Sequence, residues 1–409
     1  MRRLTPLLLV LLLSVPATTP AQTEDVIRIE PTPKLTVYRS KHYRVHTPLS
    51  RDEVLPYARH MDALFKQYDA RFGTLVPAPV EPMSLYLFET QQQYDRFLQE
   101  HDIDATHSGG MFFVTHKLRG LATWAEAGNR RKTFEVLQHE GFHQFAWHTF
   151  GPDLPVWVNE GLAQYFESAV LRDGKLSLGM IRRPRIEKVR TAIREGDALP
   201  IEQLMAVSGK QWAQRLRDDP EHAGLSYAQS WSLVFYLIHG DGGKHKQPFT
   251  EYLKRLSQGD SHGDAQLMAF GQSGMIALEE DWQRYALRQQ PNEVAEAIER
   301  LEFLGTGLRL LAEQGEAMPD DLDALRDTLQ RYGFKLRRSE MGVTRHLSAD
   351  EDEMYRFERE AGDTRAFVLL KPARAGLPPR ITAPGLEPEP TLIWTRDADG
   401  KLVQDIAYD

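Results

Sequence analysis

Two imidazoles and a carboxylate stand together in the run Leu137-Gln138-His139-Glu140-Gly141-Phe142-His143. Residues four apart on an α-helix are surface neighbours, so His139 and His143 project side by side and can share one metal ion. Glu140 sits one position round from His139, where a carboxylate can accept a proton from water at the metal instead of binding the ion. This is the His-Glu-x-x-His spacing of zinc hydrolysis, with Glu140 as general base. Further on, the chain reads Pro155-Val156-Trp157-Val158-Asn159-Glu160-Gly161-Leu162-Ala163-Gln164-Tyr165-Phe166-Glu167. Trp157, Leu162, Ala163 and Phe166 suit a buried helix, with Pro155 near its first turn, where a missing N–H is harmless. Glu160 interrupts those apolar residues and needs a partner to be stable inside. A metal ion is such a partner.

At these two segments the chain resembles the gluzincins, the zinc metallopeptidases that include thermolysin and the aminopeptidase N family. It also resembles a poorly characterised set of bacterial gluzincin-like proteins whose second segment reads like Leu-Pro-Val-Trp-Val-Asn-Glu-Gly-Leu-Ala-Gln-Tyr. The two motifs cover residues 133–168, and a looser likeness extends to about residue 240. The resemblance implies that His139, His143 and Glu160 bind one zinc ion per chain and that Glu140 is the base. Three protein ligands leave a fourth position open, as a catalytic site requires. The family's asparagine before the third ligand hydrogen-bonds a ligating histidine, which carries over to Asn159, and Glu167 on the same helix is a candidate for a similar task. The aminopeptidase-like members carry a transition-state tyrosine just before an apolar helix. Tyr227, followed by Trp231, Leu233, Val234, Phe235, Leu237 and Ile238, is the counterpart here. It stands either as the oxyanion donor or as a tyrosine packing the helix start.

Substrate class follows from a departure. Aminopeptidases of the family hold the substrate's amino terminus with a glutamate in a Gly-x-Met-Glu-Asn segment, whereas this chain has Ser108-Gly109-Gly110-Met111-Phe112-Phe113 there. Peptide-bond hydrolysis by an endopeptidase is therefore expected, not aminopeptidase action. The segment Leu118 to Trp124 is expected to be the edge strand on which an extended peptide lies. The alternative is a zinc-binding but catalytically silent, peptidase-like binding or scaffold protein of the cell envelope.

The elements that must position these residues read as an α+β chain. Residues 22–125 mix strand-like runs, Tyr43 to Thr47 and Met83 to Phe88, with helical stretches at Arg51 to Phe72 and Gln91 to Glu100, which predicts an α/β lobe. Residues 126–290 read as a helical lobe carrying both motifs, the two lobes together forming a gluzincin-like catalytic unit with the metal at its cleft. Residues 291–409 predict a small α+β accessory domain: helices, with a start at Pro319-Asp320-Asp321, then strands ending in a hairpin around Asp399-Gly400.

Arg2 and Arg3, the apolar run Leu7 to Leu13 and small residues at Ala17 and Ala21 form a signal-peptide pattern over residues 1–21, so export to a periplasm or the medium is expected. Removing it takes two arginines and no acidic residue, which moves the formal charge from -8 to -10. So acidic a chain argues against a nucleic-acid partner and leaves a peptide or protein substrate as the expected one. Cysteine is absent, so disulfides, a thiol nucleophile and a lipid-anchored cysteine are excluded. No later run reaches transmembrane length; oligomeric state is not legible.

Other features favour ordinary readings. Arg182, Arg183, Arg185, Lys188 and Arg190 predict a solvated basic helix face. Gly240-Asp241-Gly242-Gly243 follows a helix and predicts a turn, not a phosphate cradle. His148 falls outside the ligand spacing, and His107, His116 and His222 have no spacing argument. Gly141 inside a helix costs about 1 kcal/mol relative to alanine, which predicts close packing beside the site.

Overall fold

The computed structural model describes residues 34–409 except 76–78, 80, 105–108, 173 and 341–342, so the expected signal peptide, His107 and Ser108 lie outside the described residues. The chain begins with β1 (Thr36–Arg39), β2 (Tyr43–Thr47), α1 (Arg51–Phe72), β3 (Met83–Phe88), α2 (Gln91–Glu100), β4 (Gly110–Val114) and β5 (Arg119–Trp124). The five strands form one sheet in the order β1-β2-β3-β5-β4. β2, β3 and β5 run parallel, while β1 and β4 join antiparallel at the two sides.

Strand periodicity decides which helix covers which face. Leu85 and Leu87 of β3 point into a core shared with α1, and the intervening Tyr86 and Phe88 point to the other face, against Tyr94, Phe97 and Leu98 of α2. A strand buried on both faces reads as a nearly continuous apolar run, as β3 does. The strand order corrects one expectation. Leu118 to Trp124 is not the edge: β5 is hydrogen-bonded on both sides, and β4 is the outer strand on that side of the sheet. The Thr115–Leu118 turn sends the chain back between β3 and β4, where the small and apolar Gly120, Leu121 and Ala122 can be buried.

The helical part contains α3 (Arg130–Phe150), α4 (Val156–Glu167), a hairpin of β6 (Val170–Arg172) and β7 (Lys175–Ser177), α5 (Arg183–Glu195), α6 (Ile201–Ala206), α7 (Gly209–Asp218), α8 (Pro220–His239), α9 (Lys246–Ser257), α10 (His262–Phe270) and α11 (Gln272–Arg288). Asn129 starts α3 by accepting a hydrogen bond from the Lys132 backbone N–H. From Val136 to Ala146 every residue of α3 is buried, which marks it as a central helix covered on all sides. Gly141 does provide close packing, but toward α1, where an added Cβ would lie 3.0 Å from Met61 Cε. Gly161 brings α4 against α8: a Cβ there would lie 2.6 Å from the Ser230 backbone oxygen. The segment Gly240–Gly243 is a short turn after α8, as expected.

The C-terminal part comprises α12 (Glu293–Glu313), α13 (Leu322–Arg331) capped by Asp321, the hairpins β8 (Lys335–Glu340) with β9 (Val343–Ser348) and β10 (Arg356–Glu358) with β11 (Thr364–Ala366), and an antiparallel sheet of β12 (Val368–Leu370), β13 (Arg380–Thr382), β14 (Pro390–Arg396) and β15 (Leu402–Tyr408). Leu301, Leu304 and Leu308 of α12 pack with Ile381, Leu392, Trp394 and Ile406 in a second core. This part grips the first turn of α3. Gln404 N–H donates to Gly128 O at 3.0 Å, Arg130 pairs with Asp405 at 3.2 Å, and Arg131 lies 3.4 Å from Glu302. The class is α+β. No helix among the described residues is long and apolar enough to cross a membrane.

Candidate metal centre

α3 and α4 bring His139, His143 and Glu160 together, with one ligand atom from each lying within 4.8 Å of the others. The imidazoles stand edge to face, 4.9 Å between centroids. Glu160 Oε2 lies 3.6 Å from His139 Nε2 and 3.5 Å from His143 Nε2, beyond hydrogen-bond length. Two donors bound to one tetrahedral zinc at about 2.0–2.2 Å are separated by roughly 3.3–3.5 Å, so the spacing suits a shared ion.

Burial sharpens the point. His139, His143 and Glu160 are 1 %, 2 % and 0 % exposed, yet both Nε2 atoms and both Glu160 oxygens lack a hydrogen-bond partner. Buried polar atoms are ordinarily paired, and three orphans clustered together, one from each residue, call for a cation. The electrostatics agree. Burial opposes charge on His139, but the Glu160 and Glu167 carboxylates outweigh it and push its pKa up to about 10. Burial likewise opposes the Glu160 carboxylate, and the two histidines, His143 foremost, bring its pKa below the ordinary value. The donor set and its field fit a divalent metal.

The outer nitrogens of both histidines are occupied. His143 Nδ1 is 2.9 Å from Asn159 Oδ1, and His139 Nδ1 is 2.9 Å from Glu167 Oε2. In the metal-binding form each ring keeps its proton on Nδ1, where Glu167 or Asn159 accepts the hydrogen bond, and an ion would displace any proton on Nε2 to take that lone pair.

Two further residues hold this arrangement, and neither was placed in the site by sequence alone. Arg185, expected on a solvated face, is 0 % exposed. Its guanidinium donates to Glu167 Oε1 at 2.8 Å, Ser168 Oγ at 3.0 Å and Gln164 O at 3.1 Å. Against the cost of burial, Arg185 and then His139 keep the Glu167 carboxyl ionised, with its pKa at about 2. Arg190 is buried too and donates to Ala286 O, while Arg182 pairs with Glu135 and Arg183 with Glu296. The basic cluster is thus largely a set of inward ties, because α5 packs between other elements with Ile186 and Val189 in the core. Gln138 is the second: its side-chain amide donates to the Phe166, Glu167 and Ala169 carbonyls, satisfying the end of α4. Only the charged partner, Glu167, could have hinted at Arg185 in the sequence.

Glu140 is 1 % exposed and held through Oε2, which accepts from the Phe112 backbone N–H of β4 at 2.8 Å, while Oε1 has no partner. Burial raises its pKa, countered by His143 and His139. Tyr227 on α8 is buried with its hydroxyl unpartnered, and its ring meets Trp212 edge-on at 4.9 Å. Burial, followed by the Glu160 and Glu140 charges, lifts its pKa well above the usual phenol value, so the hydroxyl feels both carboxylates. A cleft of about 360 Å³ reaches His143 and Asn159. The β4 edge forms one wall; Trp147, Leu154, Pro155, Met205 and Val207 contribute to the others.

Residues 134–260 match the model of a family described as "Protein of unknown function (DUF1570)". The matched segment contains the three clustered side chains, Glu140, Arg185 and Tyr227. No curated protein matches the chain. Chemically, the site combines a cation-seeking triad, a neighbouring carboxylate with one free oxygen, a buried phenol and an apolar cleft.

Proposed function

We propose that this chain is an exported, zinc-dependent peptidase of the gluzincin type, with the sheet-bearing lobe and the helical lobe as the two sides of the catalytic unit, and that it acts as an endopeptidase. The observation that carries this is the cluster of three unpartnered buried ligand atoms, one each from His139, His143 and Glu160. Zinc held there supplies Lewis acidity, polarising a scissile carbonyl and bringing the pKa of water down to about 7.

The remaining work falls to the chain. Glu140 takes the proton of the attacking water at its free Oε1 and later delivers it to the leaving amine, while the Phe112 N–H keeps the carboxylate from rotating away. The Tyr227 hydroxyl donates to the oxygen on which negative charge develops. Beyond Phe112, whose N–H is held by Glu140, β4 lines the cleft and offers backbone groups to an extended peptide. No carboxylate stands in Gly109–Val114 to hold a substrate's amino terminus, which supports internal cleavage.

Metal analysis by mass spectrometry on the purified protein and on Glu160→Ala tests this. Near one zinc per chain, lost or much weakened in the variant, is expected. Glu140→Gln should keep its zinc and lose at least about 100-fold in peptide hydrolysis. Zinc absent from both proteins after reconstitution would sink the reading.

A further inference from the structure

Resting on that reading, we infer that the cleft selects substrates carrying a large apolar side chain and, two or three residues from the cleaved bond, an anionic group held by Arg119. Trp147 follows His143 by one helical turn, a rise of about 6 Å along α3. It lines the cleft, and the Arg119 guanidinium lies over its ring, 4.3 Å from the centroid. Arg119 is exposed, and among the described residues no carboxylate lies within ion-pair distance of it. Stacking occupies one face of the guanidinium and fixes its plane, leaving the N–H edges to grip a carboxylate in a fork.

The surroundings agree in sign and shape. Val114, which lines the cleft, is paired with Arg119 across the β4–β5 hairpin, so the cation stands beside the wall that a peptide would follow. Lys117, exposed in the connecting turn, adds positive charge at that end. Asp153, on the loop between α3 and α4, is the one carboxylate among the described residues of the cleft lining, and it forms no ion pair with Arg119. Much of the lining is apolar: Met111, Phe112, Leu154, Val156, Met205 and Val207. An extended peptide advances about 3.3 Å per residue, so an anion at Arg119 falls two or three residues from a bond reacting beside His143.

The test uses paired peptides that share a central Phe and differ only by Glu or Gln two and three positions from it. The zinc-loaded full chain should cleave the Glu peptide with kcat/KM about 10-fold above the Gln peptide, Arg119→Glu should invert that ratio, and about 1 M salt should level it. A ratio near one in the unaltered protein, or one unmoved by Arg119→Glu, overturns the inference. If neither peptide is cleaved, the pair is read by fluorescence anisotropy on zinc-loaded Glu140→Gln protein. Tighter binding of the Glu peptide, abolished by adding Arg119→Glu, upholds the anion site while hydrolysis fails; equal binding, or none, overturns the anion site as well.

Discussion

Arg185, Glu167 and His139 form a continuous buried chain of hydrogen bonds that ends at the proposed metal. Removing an outer partner of a metal-bound histidine typically costs 10- to 100-fold in metal affinity. Arg185→Met should therefore weaken zinc binding by about that factor in a competitive chelator titration, since it leaves a buried carboxylate without its countercharge. Arg185→Lys should fall in between, because an ammonium restores the charge but not the forked reach to Ser168 and Gln164. Equal zinc affinity in all three proteins would remove Arg185 from the site. Tyr227 separates differently. Loss of a donor that acts only on the developing oxyanion lowers kcat by about 100-fold and spares KM, so Tyr227→Phe should show that split with zinc content unchanged. A tyrosine that merely packs the helix would leave kcat alone and lower stability.

At the scale of elements, the site depends on two helices meeting at a fixed depth. α4 must lie close enough to α8 for Tyr227 to face Glu160, and Gly161 permits that approach against the Ser230 backbone. A backbone atom cannot swing aside as a side chain can. Gly161→Ala should push the helices apart and cost about 1–3 kcal/mol, read as a lower Tm, with weaker zinc binding because Glu160 moves with α4. Unchanged Tm would show that the contact has slack. Gln138 works at the same scale: by closing three carbonyls at the end of α4 it ties the third ligand's helix to the helix of the first two.

Across the whole molecule, α3 is the common member. α1 packs on one side of it, β4 and β5 on another, α4 on a third, and the C-terminal sheet grips its first turn through Gln404 and Asp405. His60 reports on that packing. Stacked on Phe134 at 4.1 Å and buried, it has a pKa lowered to about 3 by burial, offset a little by Gln138. An unfolded chain takes up a proton near pH 6.5 that the folded chain refuses, so stability rises with pH across this window. The contribution is complete above about pH 6.5 and is lost as pH falls from there toward 3. Chemical denaturation at pH 7 and pH 5 should show a smaller pH loss for His60→Phe than for the unaltered protein; equal losses would place the acid sensitivity elsewhere.

What could be read from the chain alone was whatever local periodicity encodes. Residues four apart share a helix face wherever the helix ends up, so His139, His143 and the neighbouring Glu140 were legible, and so was the demand of Glu160 for a partner inside an apolar helix. The α+β class, Asp321 as a helix start and the hairpin at Gly400 were legible for the same reason, because capping and turn chemistry act over a few residues. Tertiary structure decided the rest. Whether β4 or β5 is the edge depends on pairing with β3, more than thirty residues earlier in the chain. Whether an arginine on α5 faces water or a carboxylate depends on which helix packs beside it, and the energy of burying a charge lies wholly in that partner. The empty oxygen of Glu140, the outward ties of both histidines and the cation stacked on Trp147 are of this kind: each is a relation between elements, and no single segment contains it.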